Sequence, residues 1–252
     1  MPGFSDADLT LDRLVGGRLA LWQPRRGYRA ATDPVLLAAA VMARPGQRVL
    51  ELGCGGGAAL LALGLRVPEL ALSGVERQPA YAELARRNAA ENALPAEITC
   101  ADLTLLPAGL RRPFDHVLMN PPWFDPADPA ATDPGRDTAQ REDTPLADWL
   151  RSGLARLAPG GWLTLIHRAA RLPDILAALT PGSGAISVRP LAPRAGRPAG
   201  RVILQARKGA RGPFRLLAPL VLHDGPSHLR DGEDFSAAAR VVLRDGGSLG
   251  WD

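Results

Sequence analysis

Apolar positions along the chain fall into runs of two kinds, and the two kinds alternate. Residues 48–52, 70–76, 97–101, 114–120 and 161–167 are short runs that read as strands, the first of them a buried one. Between them, 58–67, 79–93 and 146–157 are longer and carry the spacing of helices that bury one face or more. Pro79 stands at the start of the second of these, where a first helical turn tolerates proline. A helical stretch at 172–179 then precedes two strand-like runs, 185–191 and 202–207. Only the segment from Arg194 to Gly200 joins that pair, too short for a crossover helix, so the two are expected to be antiparallel. Strands separated by helices predict an α/β fold: a doubly wound, Rossmann-like sheet of seven strands, mostly parallel, with an antiparallel C-terminal pair.

The same pattern organises the chain as one domain over residues 1–252. A leader, 1–47, carries one β-like stretch (18–23) and a helix, and a core follows at 48–208. An extension, 209–252, has an apolar run at 214–223 and a final helix at 234–243, and is expected to pack on the core. One segment breaks the rhythm. Residues 124–145 are rich in Asp, Pro and Thr without an apolar period, and a loop of that length in a compact domain is functional or disordered.

Composition adds exclusions. Hydrophobic residues at 46% and charged residues at 22% are ordinary for a soluble globular protein. The longest apolar stretch, 35–43, is too short to span a bilayer, and no basic region followed by an apolar run marks a signal peptide at the N-terminus. Cys54 and Cys100 lie far apart, which argues against a disulfide framework or a zinc site. His116, His167, His223 and His228 show no ligand spacing, so no metal is expected, and their roles read as ordinary surface or strand roles. These readings place the protein in the cytoplasm, with no membrane association. The net charge is only +4, yet the sequence pI is about 9.8, because Lys208 is the one lysine among arginines that do not titrate. Such a pI fits a nucleic-acid binder and equally a coding bias towards Ala, Gly, Pro and Arg.

The chemistry sits where strands end. Gly53, Gly55 and Gly57 follow the first core strand, in the run Glu51-Leu52-Gly53-Cys54-Gly55-Gly56-Gly57. Glycines there let the backbone turn tightly and approach a ligand. Their G-x-G-x-G spacing departs from the dinucleotide pattern G-x-G-x-x-G. Glu76 ends the next strand, where an acid can accept both hydroxyls of a ribose. Asp102, after the third strand, suits an adenine amino group. After the fourth strand comes Asn120-Pro121-Pro122-Trp123. A planar amino nitrogen is a poor nucleophile because its lone pair is conjugated. The Asn120 side-chain oxygen and the Pro121 carbonyl can hold its two N–H groups while positive charge develops on nitrogen. The prolines fix the loop, and Trp123 offers a face for stacking a flipped base.

Together these residues resemble the class I S-adenosyl-L-methionine-dependent methyltransferases. The glycine loop resembles their first motif, with Glu51 where Asp is commoner. Glu76 resembles the second, Asp102 the third, and Asn120 to Trp123 the fourth, which marks the branch that methylates amino groups. The resemblance implies S-adenosyl-L-methionine as cofactor, with Glu51, Gly53, Gly55, Gly57, Glu76, Asp102 and Asn120 against it and Asn120, Pro121, Pro122 and Trp123 as the catalytic group. Trp123 stands where Tyr or Phe is usual.

A finer resemblance, to the bacterial tRNA1(Val) adenine-N6-methyltransferase family, lies in the leader from Gly27 to Leu37, in Arg201-Val202-Ile203-Leu204 and in Leu222-His223-Asp224-Gly225. It implies an RNA substrate, tRNA, and adds Asp33 and Thr32 to the site, although Asp33 before Pro34 also reads as a helix N-cap. Protein glutamine methylation, DNA adenine methylation and cofactor binding without catalysis are the alternatives. The arginines at 25, 26, 29, 194, 197 and 201 line a phosphate path or form a solvated face, and the 125–145 loop, with Arg136 and Arg141, reads as a lid over RNA.

Overall fold

A computed structural model describes residues 3–123, 144–227 and 234–252. The leader forms an antiparallel hairpin of β1 (Leu9–Leu14) and β2 (Leu19–Pro24), where the sequence pattern points to one strand only. β1 buries a single residue, Leu9, so its alternation carries little hydrophobic signal. Two asparagines one turn apart dock this hairpin on the core. Asn88 accepts a hydrogen bond from the Trp22 N–H at 2.8 Å and donates to the Trp22 and Gly56 carbonyls. Asn92 does the same with the N–H and carbonyl of Ala20. Each side-chain amide thus replaces a neighbouring strand along β2.

The chain continues through α1 (Thr32–Ala40), β3 (Arg48–Leu52), α2 (Ala58–Arg66), β4 (Ala71–Glu76), α3 (Pro79–Glu91), β5 (Ala96–Cys100), β6 (Phe114–Met119), α4 (Leu146–Arg156), β7 (Leu157–Arg168) and α5 (Leu172–Leu179). It closes with β8 (Ser183–Arg194), β9 (Arg201–Lys208), β10 (Arg215–Leu216), β11 (Leu220–His223) and α6 (Ala237–Leu243). The sheet order is β10-β8-β9-β7-β6-β3-β4-β5, with β11 also on β8. All pairings are parallel except those of β9, which runs antiparallel to both β7 and β8, as the short 194–200 connection requires. The seven expected strands make the body of the sheet. The apolar run at 214–223 splits at Pro219 into two further edge strands, so the observed count is nine.

Side chains of β3 alternate between two buried layers. Val49 joins the cluster under α1, α2 and α3, while Leu50 and Leu52 join the one under α4 and α5. α1 is buried from Pro34 to Ala40, because α2, α6 and the sheet surround it. The C-terminal segment completes that enclosure: the Leu249 N–H and the Trp251 indole N–H donate to the carbonyls of Ala39 and Ala40 at the end of α1. Among the described residues no helix is long and apolar enough to cross a membrane.

The strand order reverses between β3 and β6, the neighbours from which the chain winds outwards in both directions. Loops leaving the carboxyl ends of such strands diverge and leave a crevice, the usual ligand site of open α/β sheets.

Candidate active site

Gly53, Gly55 and Gly57 all adopt positive φ, at 69°, 53° and 87°, but for different reasons. A Cβ on Gly53 would lie 2.4 Å from the Trp149 ring, so packing forbids a side chain there. On Gly55 the nearest atom would be the Tyr28 ring at 3.8 Å, leaving its backbone open to the crevice. Gly57 is the left-handed N-cap of α2 and does not line the crevice, contrary to the expectation that all three glycines face the ligand. Its conformation swings the chain into the helix.

Two buried carboxylates brace this loop. Glu51, on the α2 side of β3, accepts the Leu60 N–H at 2.8 Å, in the first turn of α2. Burial pushes its carboxyl well above the usual range. Glu76, at the end of β4, accepts the Gly55 N–H at 3.0 Å with one oxygen and the Gln78 N–H at 2.8 Å with the other. Burial raises its pKa too, and those backbone bonds oppose the rise. The Arg77 N–H adds a third backbone bond to this carboxylate. Asp102 holds the loop after β5 by accepting the N–H and hydroxyl of Thr104 at 2.8 and 2.6 Å, bonds that lower its pKa.

The leader closes the near wall. α1 is capped by Ala31, not Asp33, so Asp33 lies inside the first turn and its carboxylate turns to Arg201 of β9. Burial raises the Asp33 pKa, and the Arg201 charge opposes that rise. Tyr28 packs beside Gly55; desolvation, then the charges of Asp33 and Glu51, raise its hydroxyl pKa, so it remains protonated at neutral pH. Of the six arginines read as a phosphate path, Arg29, Arg194 and Arg201 are engaged with Asp12, Asp234 and Asp33, whereas Arg25, Arg26 and Arg197 are exposed.

The far wall is the loop after β6. The Trp123 indole N–H donates to the Asn120 side-chain oxygen at 3.1 Å. His167, fully buried near the end of β7, faces the Pro122 carbonyl with Nε2 at 3.2 Å. Neither contact is foreseen from sequence, where Trp123 offers only a ring face and His167 an ordinary strand position.

One cleft of about 290 Å³ gathers these groups. Asp33, Glu51, Gly53, Gly55, Glu76, Asp102 and Asn120 to Trp123 all line it, and so does Thr32. Sequence reasoning passes over Gln78, Thr144, Trp149 and the site role of Arg201, which come to the cleft from separate elements; Tyr28 lies inside the leader motif and was within reach. Phe124, Arg136 and Arg141, and with them most of the expected lid, lie outside the described residues.

Comparison with known proteins shows the family of the chain. The family model of the methyltransferase small domain matches residues 31–171. A tRNA1(Val) (adenine(37)-N6)-methyltransferase of Porphyromonas gingivalis is 34% identical over 157 residues, 58% of this chain and 61% of that protein. One of Dickeya chrysanthemi is 29% identical over 230 residues, 88% of each chain. The chain spans 47–61% of the length of the first four curated relatives it matches, which include a release factor glutamine methyltransferase of Deinococcus radiodurans. Among solved structures, one described as a predicted O-methyltransferase of Agrobacterium tumefaciens superposes with a TM-score of 0.70 at 30% identity, over 86% of this chain and 98% of that one. The glycine turn at Gly55 and the ribose-suited carboxylate of Glu76 fit S-adenosyl-L-methionine, and this protein belongs to the methyltransferase small domain family of S-adenosyl-L-methionine-dependent enzymes.

Proposed function

We propose that this protein methylates the exocyclic N6 amino group of adenine in RNA, with tRNA in the cytoplasm as its substrate. One observation carries the reading: Asn120, Pro121, Pro122 and Trp123 line the same cleft as Gly55 and Glu76, so an amine acceptor and a nucleoside-type cofactor have walls facing one space. The names of the Porphyromonas and Dickeya relatives point the same way. When bound, S-adenosyl-L-methionine supplies an electrophilic methyl group on a sulfonium sulfur. Glu76 accepts the ribose hydroxyls, Asp102 the adenine amino group, and Gly55 admits the ligand against bare backbone.

On the acceptor side, Asn120 and the Pro121 carbonyl hold the two N–H groups of the substrate amine. This aims the nitrogen lone pair out of the ring plane and stabilises the charge that grows on nitrogen. An amide oxygen has two lone pairs, so the Trp123 N–H uses one and leaves one for the substrate. The same bond fixes which end of the Asn120 amide faces its partner. An oxygen acceptor has no second N–H to hold, so the paired acceptors favour N- over O-methylation.

The test is to incubate the protein with labelled methyl donor and RNA from cells lacking its gene, then digest to nucleosides. N6-methyladenosine in the tRNA fraction is expected. Label on a protein glutamine, with RNA unmodified, would move the assignment to glutamine methylation.

A further inference from the structure

We propose that His167 is a positioning residue for methyl transfer: it sets the acceptor loop by donating a hydrogen bond to the Pro122 carbonyl. The inference rests on the amino-methyltransferase reading and names a part of its machinery. A carbonyl oxygen only accepts, so the ring nitrogen facing it at 3.2 Å, Nε2, carries a proton. The side chain is wholly buried on β7, where its pairing with Val202 of β9 fixes the backbone beneath it. The parallel register sets Met119 beside Leu165, so the chain leaving β6 passes over the end of β7 where His167 stands.

The contact matters because of what the loop lacks. Pro121 and Pro122 have no N–H, so two consecutive residues donate nothing to hold the loop. Their carbonyls are the remaining handles, and the Pro121 carbonyl is reserved for the substrate amine in the proposed mechanism. The Pro122 carbonyl is free to be pulled towards the sheet, and His167 pulls it. Fixing that carbonyl sets the plane of the Pro122–Trp123 peptide. It thereby sets the direction from which Trp123 reaches Asn120. His167 touches neither acceptor nor cofactor in this scheme; it acts through the loop.

Two substitutions of similar polarity separate positioning from simple folding. His167→Gln keeps an N–H at about the distance of Nε2, whereas His167→Asn places its N–H one bond short. Three readings are taken for each: the melting temperature, the affinity for S-adenosylhomocysteine, and the indole N–H signal of Trp123 in a nitrogen-15 spectrum, identified by its loss in Trp123→Phe. His167→Asn should shift the Trp123 signal, leave cofactor-product affinity within about twofold, and lower kcat on adenine in RNA by ~10- to 100-fold, the scale of a small misplacement of reacting groups. His167→Gln should restore the signal and most of kcat. An unmoved Trp123 signal with kcat within twofold in His167→Asn, or equal losses in both variants in step with melting temperature, overturns the proposal. If the wild type methylates no adenine, the functional reading fails alone, because the indole signal still reports whether His167 sets the loop.

Discussion

On the side of the cleft that we propose holds the cofactor, Gly55, Glu76, Gln78, Glu51 and Leu60 form a closed set of backbone-to-carboxylate bonds between β3, β4, α2 and α3. On the acceptor side, the Trp123 indole bonds the Asn120 side chain and His167 bonds the Pro122 carbonyl. The first side is tied into four elements of regular structure. The second is a proline-stiffened loop leaving one strand. This difference teaches that cofactor binding and acceptor alignment are separately built, and substitutions on the two sides should therefore fail in different measurements.

The largest break is expected at Gly55→Val. The residue sits at φ 53°, a conformation that β-branched side chains resist, and the added methyl groups enter open cleft. Cofactor binding should be lost in calorimetry while the melting temperature falls only moderately; retained binding would mean the ligand does not approach the glycine turn. Next in size is Asn120→Ala. It should leave cofactor affinity within about twofold and lower the methyl-transfer rate by ~10²–10³, the usual cost of one positioned polar contact in a transition state. Normal turnover on the true substrate would remove the amino-group mechanism.

The same division explains what the sequence discloses. The cofactor side is local: Glu51, Gly53 and Gly55 share one strand and its turn, and Glu76 ends the next strand, so spacing alone locates them. The succession of strands also follows from alternating runs, because β3, β4 and β6 are mostly buried, while β5, at the sheet edge, buries only Ile98 and is marked by its place between helix and turn. The remainder depends on contacts between distant positions. Arg201 meets Asp33 from 168 residues away, and His167 meets Pro122 from 45. No period or motif encodes such pairs. Gly57 misleads for the opposite reason: it fits the glycine pattern, but helix capping accounts for it without a ligand. β1 stays hidden because a strand paired on one side, with Asp12 and Arg13 at its centre, buries too little to show alternation.

Glu76 sharpens the comparison from the cofactor side. Glu76→Ala should weaken cofactor binding by about 1.5–3 kcal/mol, the range for hydrogen bonds to a charged group, with no specific loss in acceptor alignment. Its pKa is raised in the free protein, so the ionised, strongly accepting form gives way as pH falls through that raised value towards 4.5. Affinity should therefore decrease with acidification. The contribution to folding has the opposite sign: burying the ionised carboxylate costs stability above the raised pKa, and protonation relieves that cost below it. Wild type should thus gain stability relative to Glu76→Gln as it loses cofactor affinity over the same pH window. Calorimetry and thermal melts of both proteins between pH 7 and the ordinary glutamate value of 4.5 check the pair of trends, and parallel trends would contradict the carboxylate's assigned role.

The smallest effect is expected at Trp123→Phe, and it bears most directly on how the acceptor side works. Stacking against a flipped base needs only an aromatic face, which phenylalanine keeps. The indole N–H on Asn120 is lost, and one neutral hydrogen bond contributes about 0.5–1.5 kcal/mol, so the rate should fall by roughly 2- to 12-fold. If the bond orients the Asn120 amide for the substrate, the fall appears in kcat with KM for RNA little changed. If it instead competes with the substrate for the amide oxygen, removing it raises kcat/KM. Trp123→Ala discriminates further, because it removes face and N–H together and should weaken RNA binding as well as slow transfer. A Phe variant slower in kcat alone, beside an Ala variant impaired in both, would assign the indole two separable tasks on one wall of the cleft.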